Sequence, residues 1–138
     1  MALFDTYVAA LQHGLADLPD DARLVGVVRR PTSWFSAAVD ENRPALAPPD
    51  DLLDDAQRTE DDLKMAGMCE EEAHNAAFEE VDFDDRYRDH LDSSPDAAAA
   101  LSDLRAALDR DEDVALVCYE NTAKKRCHRT TLREYLER

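Results

Sequence analysis

Two short stretches of the chain are continuously apolar with no helical period: residues 24–28 (LVGVV) and residues 114–117 (VALV). Runs of this kind, bounded by polar turns, predict strands covered on both faces, as in a parallel sheet. Elsewhere the apolar positions recur every three or four residues. Tyr7, Val8, Leu11, Leu15 and Leu18 form one stripe, which predicts a helix over residues 6–18 with Asp5 at its N-cap and Pro19 past its end. Residues 51–66 read as a second helix. The run MCEEEAHNAAFEEVDF after it is ambiguous, helical first and then extended near residues 78–81. Phe83, Tyr87, His90 and Leu91 mark a helix over residues 82–92. Ser94 caps the next one, with Pro95 in its first position and Ala97, Leu101, Leu104 and Leu108 on its buried face. Thr131 and Glu134 have the spacing of a capping box, ahead of a last helix that carries Leu132, Tyr135 and Leu136. Residues 32–50 lack any such period. Four prolines from Pro31 to Pro49 exclude helix at several points there, and Trp34 and Phe35 pin the segment to the body.

These elements predict a single α/β domain over residues 1–138, with a small, mostly parallel sheet flanked by helices. Two strands are too few for an independent sheet, so a further strand is expected around residues 35–39 or 78–81. No stretch approaches the ~18 consecutive apolar residues of a membrane span. The opening MALFDTYVAAL has an early acid and no basic residue, unlike a secretion signal. A cytoplasmic protein is expected, and with it reduced thiols at Cys69, Cys118 and Cys127.

Charge sharpens this reading. The formal net charge is −16, with 21 Asp, 11 Glu and only three Lys. Such a surface suits a salt-rich cytoplasm, where screening removes the self-repulsion that would otherwise oppose the compact state. A halophilic source is the expectation. The charge is also unevenly spread: residues 114–138 carry six basic side chains against three acids, a net +3, which leaves −19 on residues 1–113. A basic last turn that complements a helix dipole accounts for Arg133 and Arg138. It does not account for Lys124, Lys125, Arg126 and Arg129, which precede the predicted helix. Those four point to a site for a phosphate-bearing small molecule or nucleotide. Duplex nucleic acid is disfavoured, because the rest of the surface repels phosphates and the salt that would screen it also weakens phosphate contacts.

The polar part of residues 114–133 (VALVCYENTAKKRCHRTTLR) concentrates the candidate chemistry. Cys118 stands at the carboxyl end of a predicted strand and Arg129 just ahead of a predicted helix. Ligands of open α/β sheets bind at that edge, and a positive surrounding lowers a thiol pKa. The first apolar strand ends in Arg29 and Arg30, so a shared parallel sheet would bring these two arginines to the edge that holds Cys118. A metal site is the competing chemistry, with Cys118, Cys127 and His128 as ligands and Glu120 as a fourth, or Glu71 and His74 with Cys69 nearby. Adjacent Cys127 and His128 rarely converge on one ion, and no C-x-x-C spacing exists, so neither a metal nor another cofactor is expected.

VCYE followed by CHR, with VVRRP upstream, resembles the family called domain of unknown function 488 (DUF488), as do the segments ALAPPDDLL and FDDRYRDHL. The likeness covers about residues 24–136. It implies a Rossmann-like domain, related by proposal to rhodaneses and tyrosine phosphatases, with phosphate- or sugar-directed transfer, including on nucleotides or nucleic-acid ends, as the suspected chemistry. Those relatives place about five residues between Cys and Arg in a Gly-rich loop; here Cys118 and Arg129 are separated by ten, none of them glycine. The chain also departs by its predicted N-terminal helix, where the family commonly has an extra strand. The implied site residues are Cys118, Glu120, Cys127, His128 and Arg129, with Arg29 or Arg30.

Roles follow as expectations. Cys118 is the first choice of nucleophile because a strand end holds it, with Cys127 second. His128 or Glu120 moves a proton, and Arg29, Arg30, Arg126 and Arg129 hold the anion. The plainer alternatives stay open: Cys118 as a small core residue, Glu120 paired with Arg29 or Arg126, His128 bonded to backbone, and Cys127 packed under the loop. A non-catalytic nucleotide- or protein-binding module is the alternative function. Nothing in the sequence specifies an oligomer, although an apolar sheet edge could mediate a dimer.

Overall fold

The computed structural model describes residues 2–120 and 124–137. Residues 121–123 of the predicted polar loop, and Arg138, lie outside the described residues. The sheet has four strands in the order β1-β4-β2-β3, all parallel: β1 (Ala2–Tyr7), β2 (Arg23–Gly26), β3 (Glu41–Asn42) and β4 (Asp113–Cys118). The two apolar runs of the sequence are the two inner strands, β2 and β4. Val114 to Val117 are fully buried, because β4 has a strand on either side and helices packed on it.

The extra strands are not where the apolar pattern placed them. Residues 35–39 fall largely in α2 (Ser33–Ala38), whose first turn is capped by Thr32 Oγ1 accepting from the Phe35 amide at 3.2 Å. Residues 78–80 close α4 (Glu70–Glu80). The third long strand is instead β1, whose Asp5, Thr6 and Tyr7 read from sequence as the cap and start of a helix. Its six residues pair one for one with Asp113–Cys118, so the backbone bonds that a helix would have made are supplied by β4. The predicted N-terminal helix is cut to α1 (Val8–Gln12). Gly14 ends it at φ +67°, with the Leu15 amide bonded to Ala10 O at 2.8 Å and the Gly14 amide to Leu11 O at 3.3 Å, a Schellman closure. Leu15 therefore lies exposed, off the apolar stripe assigned to it. Asp5 is a strand residue and caps nothing.

The remaining helices are α3 (Asp50–Met65), α5 (Phe83–Ser93), α6 (Pro95–Asp109) and α7 (His128–Glu137). Ser94 Oγ accepts from the Ala97 amide at 3.2 Å, so the cap and the Pro95 start stand as read. The capping box does not: α7 begins at His128, and Thr131 is buried within its first turn. Arg129 consequently belongs to the helix rather than preceding it. α6 and α7 pack on β4, and α7 also on β1, while α3, α4 and α5 pack on one another. Tyr87, Phe35, Phe83 and Leu46 are the largest fully buried side chains among the described residues, and Tyr87 Oη donates to Leu46 O. Gly26 is required by close approach, since a Cβ there would stand 2.6 Å from the Phe35 ring and 2.7 Å from Asn42 Oδ1. No helix among the described residues is long and apolar enough to cross a membrane.

Candidate functional site

Because β2 and β4 are neighbours in register, the segments that follow them leave the sheet side by side. The Val27 amide extends the ladder to Val117 O at 3.0 Å. The Asn42 side chain then clasps the next residue, receiving the Val28 amide at 3.2 Å and donating to Val28 O at 2.9 Å. Tyr119 ties the two exits together: its hydroxyl accepts from the Thr32 amide at 3.0 Å and donates to Arg30 O at 3.3 Å. These contacts bring Arg29, Arg30, Tyr119, Glu120, Arg126, Cys127 and His128 to one cavity of about 450 Å³. α3 and α4 supply the opposite wall, through Gln57, Glu60, His74 and Phe78 among others. The volume lies in the range of small-molecule pockets.

The thiols form a pair behind this wall. Cys118 Sγ and Cys127 Sγ are 2.8 Å apart, and both residues are buried. Cys127 borders the cavity; Cys118 does not. Arg129, 2 % exposed, points Nη1 at Cys118 Sγ from 2.9 Å. The same guanidinium donates to Thr6 O and to Glu120 O, and through Nε to Asp5 Oδ2 at 2.8 Å. Asp5 also receives Arg133 Nη1 at 2.6 Å, and Arg133 reaches Leu3 O at 3.0 Å. Burial, the largest single influence, pushes the Cys118 thiol up, but the hydrogen bond from Cys127 and the Arg129 charge outweigh it and leave Cys118 below its ordinary value. Burial and the neighbouring Cys118 push Cys127 well above its own. Cys118 is thus the more acidic sulfur of the pair.

His128 is fixed by Nε2, 2.5 Å from Val27 O. A carbonyl only accepts, so Nε2 carries the hydrogen and Nδ1 is the basic nitrogen, 3.6 Å from Cys127 Sγ. Burial holds the ring neutral by lowering its pKa to about 4. The backbone-bonded alternative for His128 therefore holds alongside any chemical one.

The predicted anion ligands come to the cavity already engaged. Arg29 donates to Pro48 O at 3.0 Å and Ala47 O at 3.2 Å, pinning the loop before α3. Arg30 pairs with Asp50 at 2.9 Å and Asp54 at 3.0 Å. Arg126 pairs with Glu79 at 2.9 Å and Asp84 at 2.7 Å and lies over the Phe78 ring. Glu120 is 3.9 Å from Lys125, which also holds Glu70 at 3.0 Å; this replaces the expected pairing of Glu120 with Arg29 or Arg126. Acids from α3, α4 and α5 thus meet much of the basic island. Arg129 stands apart from the cavity group, under the sheet edge with Cys118 and Asp5.

Sequence reading missed Asp5, which looked like a helix cap, Asn42, which has no motif, and Tyr119, which lies in VCYE but was given no role. His74, weighed there as a metal ligand, bridges Glu60 at 3.0 Å and Arg126 O at 2.7 Å, beside the cavity. Cys69 is exposed, away from the buried thiols. No group of three or more His, Cys, Asp or Glu side chains among the described residues is arranged to hold a metal ion. The family model DUF488-N3a, described as the active DUF488-N3 subclade, matches residues 7–138. No curated protein and no solved structure matches the chain.

Proposed function

We propose, for a chain that belongs to the DUF488 family through its N3a model, a thiol-dependent enzyme acting on a phosphate-bearing small molecule or nucleotide held in the cavity between the β2 and β4 exits and α3–α4. The observation that carries this reading is the division of labour between the thiols. Cys127 alone of the pair borders the cavity, and its proton has a receiving sulfur 2.8 Å away. Cys127 is the attacking sulfur. Cys118, held anionic by Arg129 at 2.9 Å, takes the proton as the attack proceeds. His128 Nδ1 lies within reach of the same sulfur and orients it. The order of preference between the two cysteines is thus the reverse of the one read from sequence, for a steric reason: the strand end that holds Cys118 rigidly also seals it.

Substrate class rests on the lining. Arg30, Lys125 and Arg126 line the cavity with acidic partners that a phosphate can displace, Arg29 lines it while bonded to the Pro48 and Ala47 carbonyls, and Phe78 and Phe83, stacked 3.9 Å apart between centroids, offer an apolar floor for a base. The rhodanese and phosphatase analogy enters only through the paired Cys and Arg, which meet here across a long loop rather than in a tight cradle. The acidic surface supports a salt-rich cytoplasm as the working compartment.

A non-catalytic nucleotide-binding module is the second reading, favoured by the burial of both Cys118 and Cys127. Iodoacetamide labelling of the reduced protein, mapped by peptide mass, separates the two. In the enzyme reading Cys127 is labelled, and inorganic phosphate or adenosine monophosphate slows that labelling while leaving Cys69 unaffected. Labelling confined to Cys69, with or without either additive, rejects the thiol-dependent reading and leaves the module.

A further inference from the structure

Two sulfurs 2.8 Å apart are well inside the contact distance of unbonded thiols, and closing them to a disulfide length of about 2.05 Å needs a movement of about 0.8 Å. The arrangement has the remaining parts of an oxidation site. One sulfur borders a cavity that admits a small oxidant, and the other is sealed behind it. A guanidinium 2.9 Å from the sealed sulfur stabilises its anion. Cys127 lies outside helix and strand at the start of α7, its carbonyl accepting from the Thr130 amide at 3.3 Å, so the shift falls on its side chain while β4 stays in register.

We infer that Cys118 and Cys127 form a reversible intramolecular disulfide on exposure to a peroxide, and that this bond switches off the cavity thiol. The proton of Cys127 passes to Cys118 as Cys127 Sγ attacks one peroxide oxygen. The O–O bond breaks, and the departing hydroxide takes that proton as water, leaving a sulfenic acid on Cys127 and restoring the Cys118 thiolate. Cys118 Sγ then attacks Cys127 Sγ, the S–O bond breaks, and hydroxide leaves through the cavity to be protonated by solvent. Two electrons go from the sulfur pair to one peroxide. Arg129 serves both halves by holding the negative charge on the sulfur that resolves the sulfenic acid. Disulfides of this transient, sensing kind are the ones found in reducing compartments. The sulfur chemistry stands on geometry alone; its regulatory meaning rests on the proposed role of Cys127.

The test treats the full-length reduced protein with hydrogen peroxide, then alkylates it and maps the peptides. The expected result is loss of two hydrogens in mass, a Cys118–Cys127 linked peptide, complete loss of labelling at both residues, and recovery with dithiothreitol. Cys69→Ser leaves this unchanged, and Cys118→Ser diverts Cys127 to sulfinic acid. Peroxide that oxidises Cys69 while Cys118 and Cys127 remain separately alkylatable, or that carries wild-type Cys127 to sulfinic acid without a linked peptide, overturns the inference. Phosphate or nucleotide protection is read on untreated protein, so failure of the substrate reading is seen separately from failure of the disulfide.

Discussion

His128 makes the stability of this protein depend on pH in a calculable way. Its ring is buried, donates from Nε2 to Val27 O at 2.5 Å, and has a pKa lowered by burial to about 4 from an ordinary 6.5. As pH falls below 6.5 the unfolded chain takes up a proton that the folded chain refuses. The stabilisation is therefore complete above 6.5, is lost progressively on the way down to about pH 4, and changes no further below that. At about 1.4 kcal/mol for each pH unit, the loss comes to about 3 kcal/mol. His128→Gln keeps an N–H donor near Val27 O and has nothing to protonate. Urea unfolding of both proteins at pH 7, 6, 5 and 4, followed by far-ultraviolet circular dichroism in high salt, isolates the contribution because the 32 carboxylates titrate alike in each. The variant should be less stable at pH 7, and the gap between the two should shrink by about 3 kcal/mol at pH 4. A gap constant to within about 0.5 kcal/mol would refute the buried, neutral, Nε2-protonated ring.

Asp5→Asn removes the anion between Arg129 and Arg133 and leaves a buried guanidinium short of charge. It should cost about 2 kcal/mol by urea unfolding. Asp103→Asn, at the exposed pair with Arg43, should cost no more than about 0.5 kcal/mol. Gly26→Ala drives a methyl into the Phe35 ring and the Asn42 clasp. A loss of about 2 kcal/mol is expected, seen as a lower thermal midpoint, and an unchanged midpoint would mean that Phe35 has room to move. Tyr87→Phe strands the buried Leu46 carbonyl and should lower stability by about 1–2 kcal/mol without altering far-ultraviolet dichroism.

The chain's own pattern was enough for the class of fold and for most of its helices. LVGVV and VALV are buried on both faces wherever they lie, so their burial is written in composition, and Ser94-Pro95 carries its own cap. Local signals erred where a distant partner supplies the bonding. Asp5, Thr6 and Tyr7 read from sequence as a helix cap and first turn; β4 makes residues 2–7 a strand, and only then does Asp5 face Arg129 and Arg133. The capping box failed for a similar reason, because Thr131 is buried in a turn that starts three residues earlier.

For the site, the residue types in Cys118–Arg129 and at Arg29–Arg30 were visible as chemistry without an address. Strand order decides that address. With β2 beside β4 and β1 on the far side of β4, the arginines after β2 share a cavity with Cys127 and His128, while Arg129 is drawn under the edge to Asp5. Which sulfur meets the cavity, and which cations are neutralised by α3, α4 and α5, are matters of a few ångströms between segments far apart in the chain. Spacing along the sequence carries no record of those distances, because they are set by packing between elements and not by any property of the residues themselves.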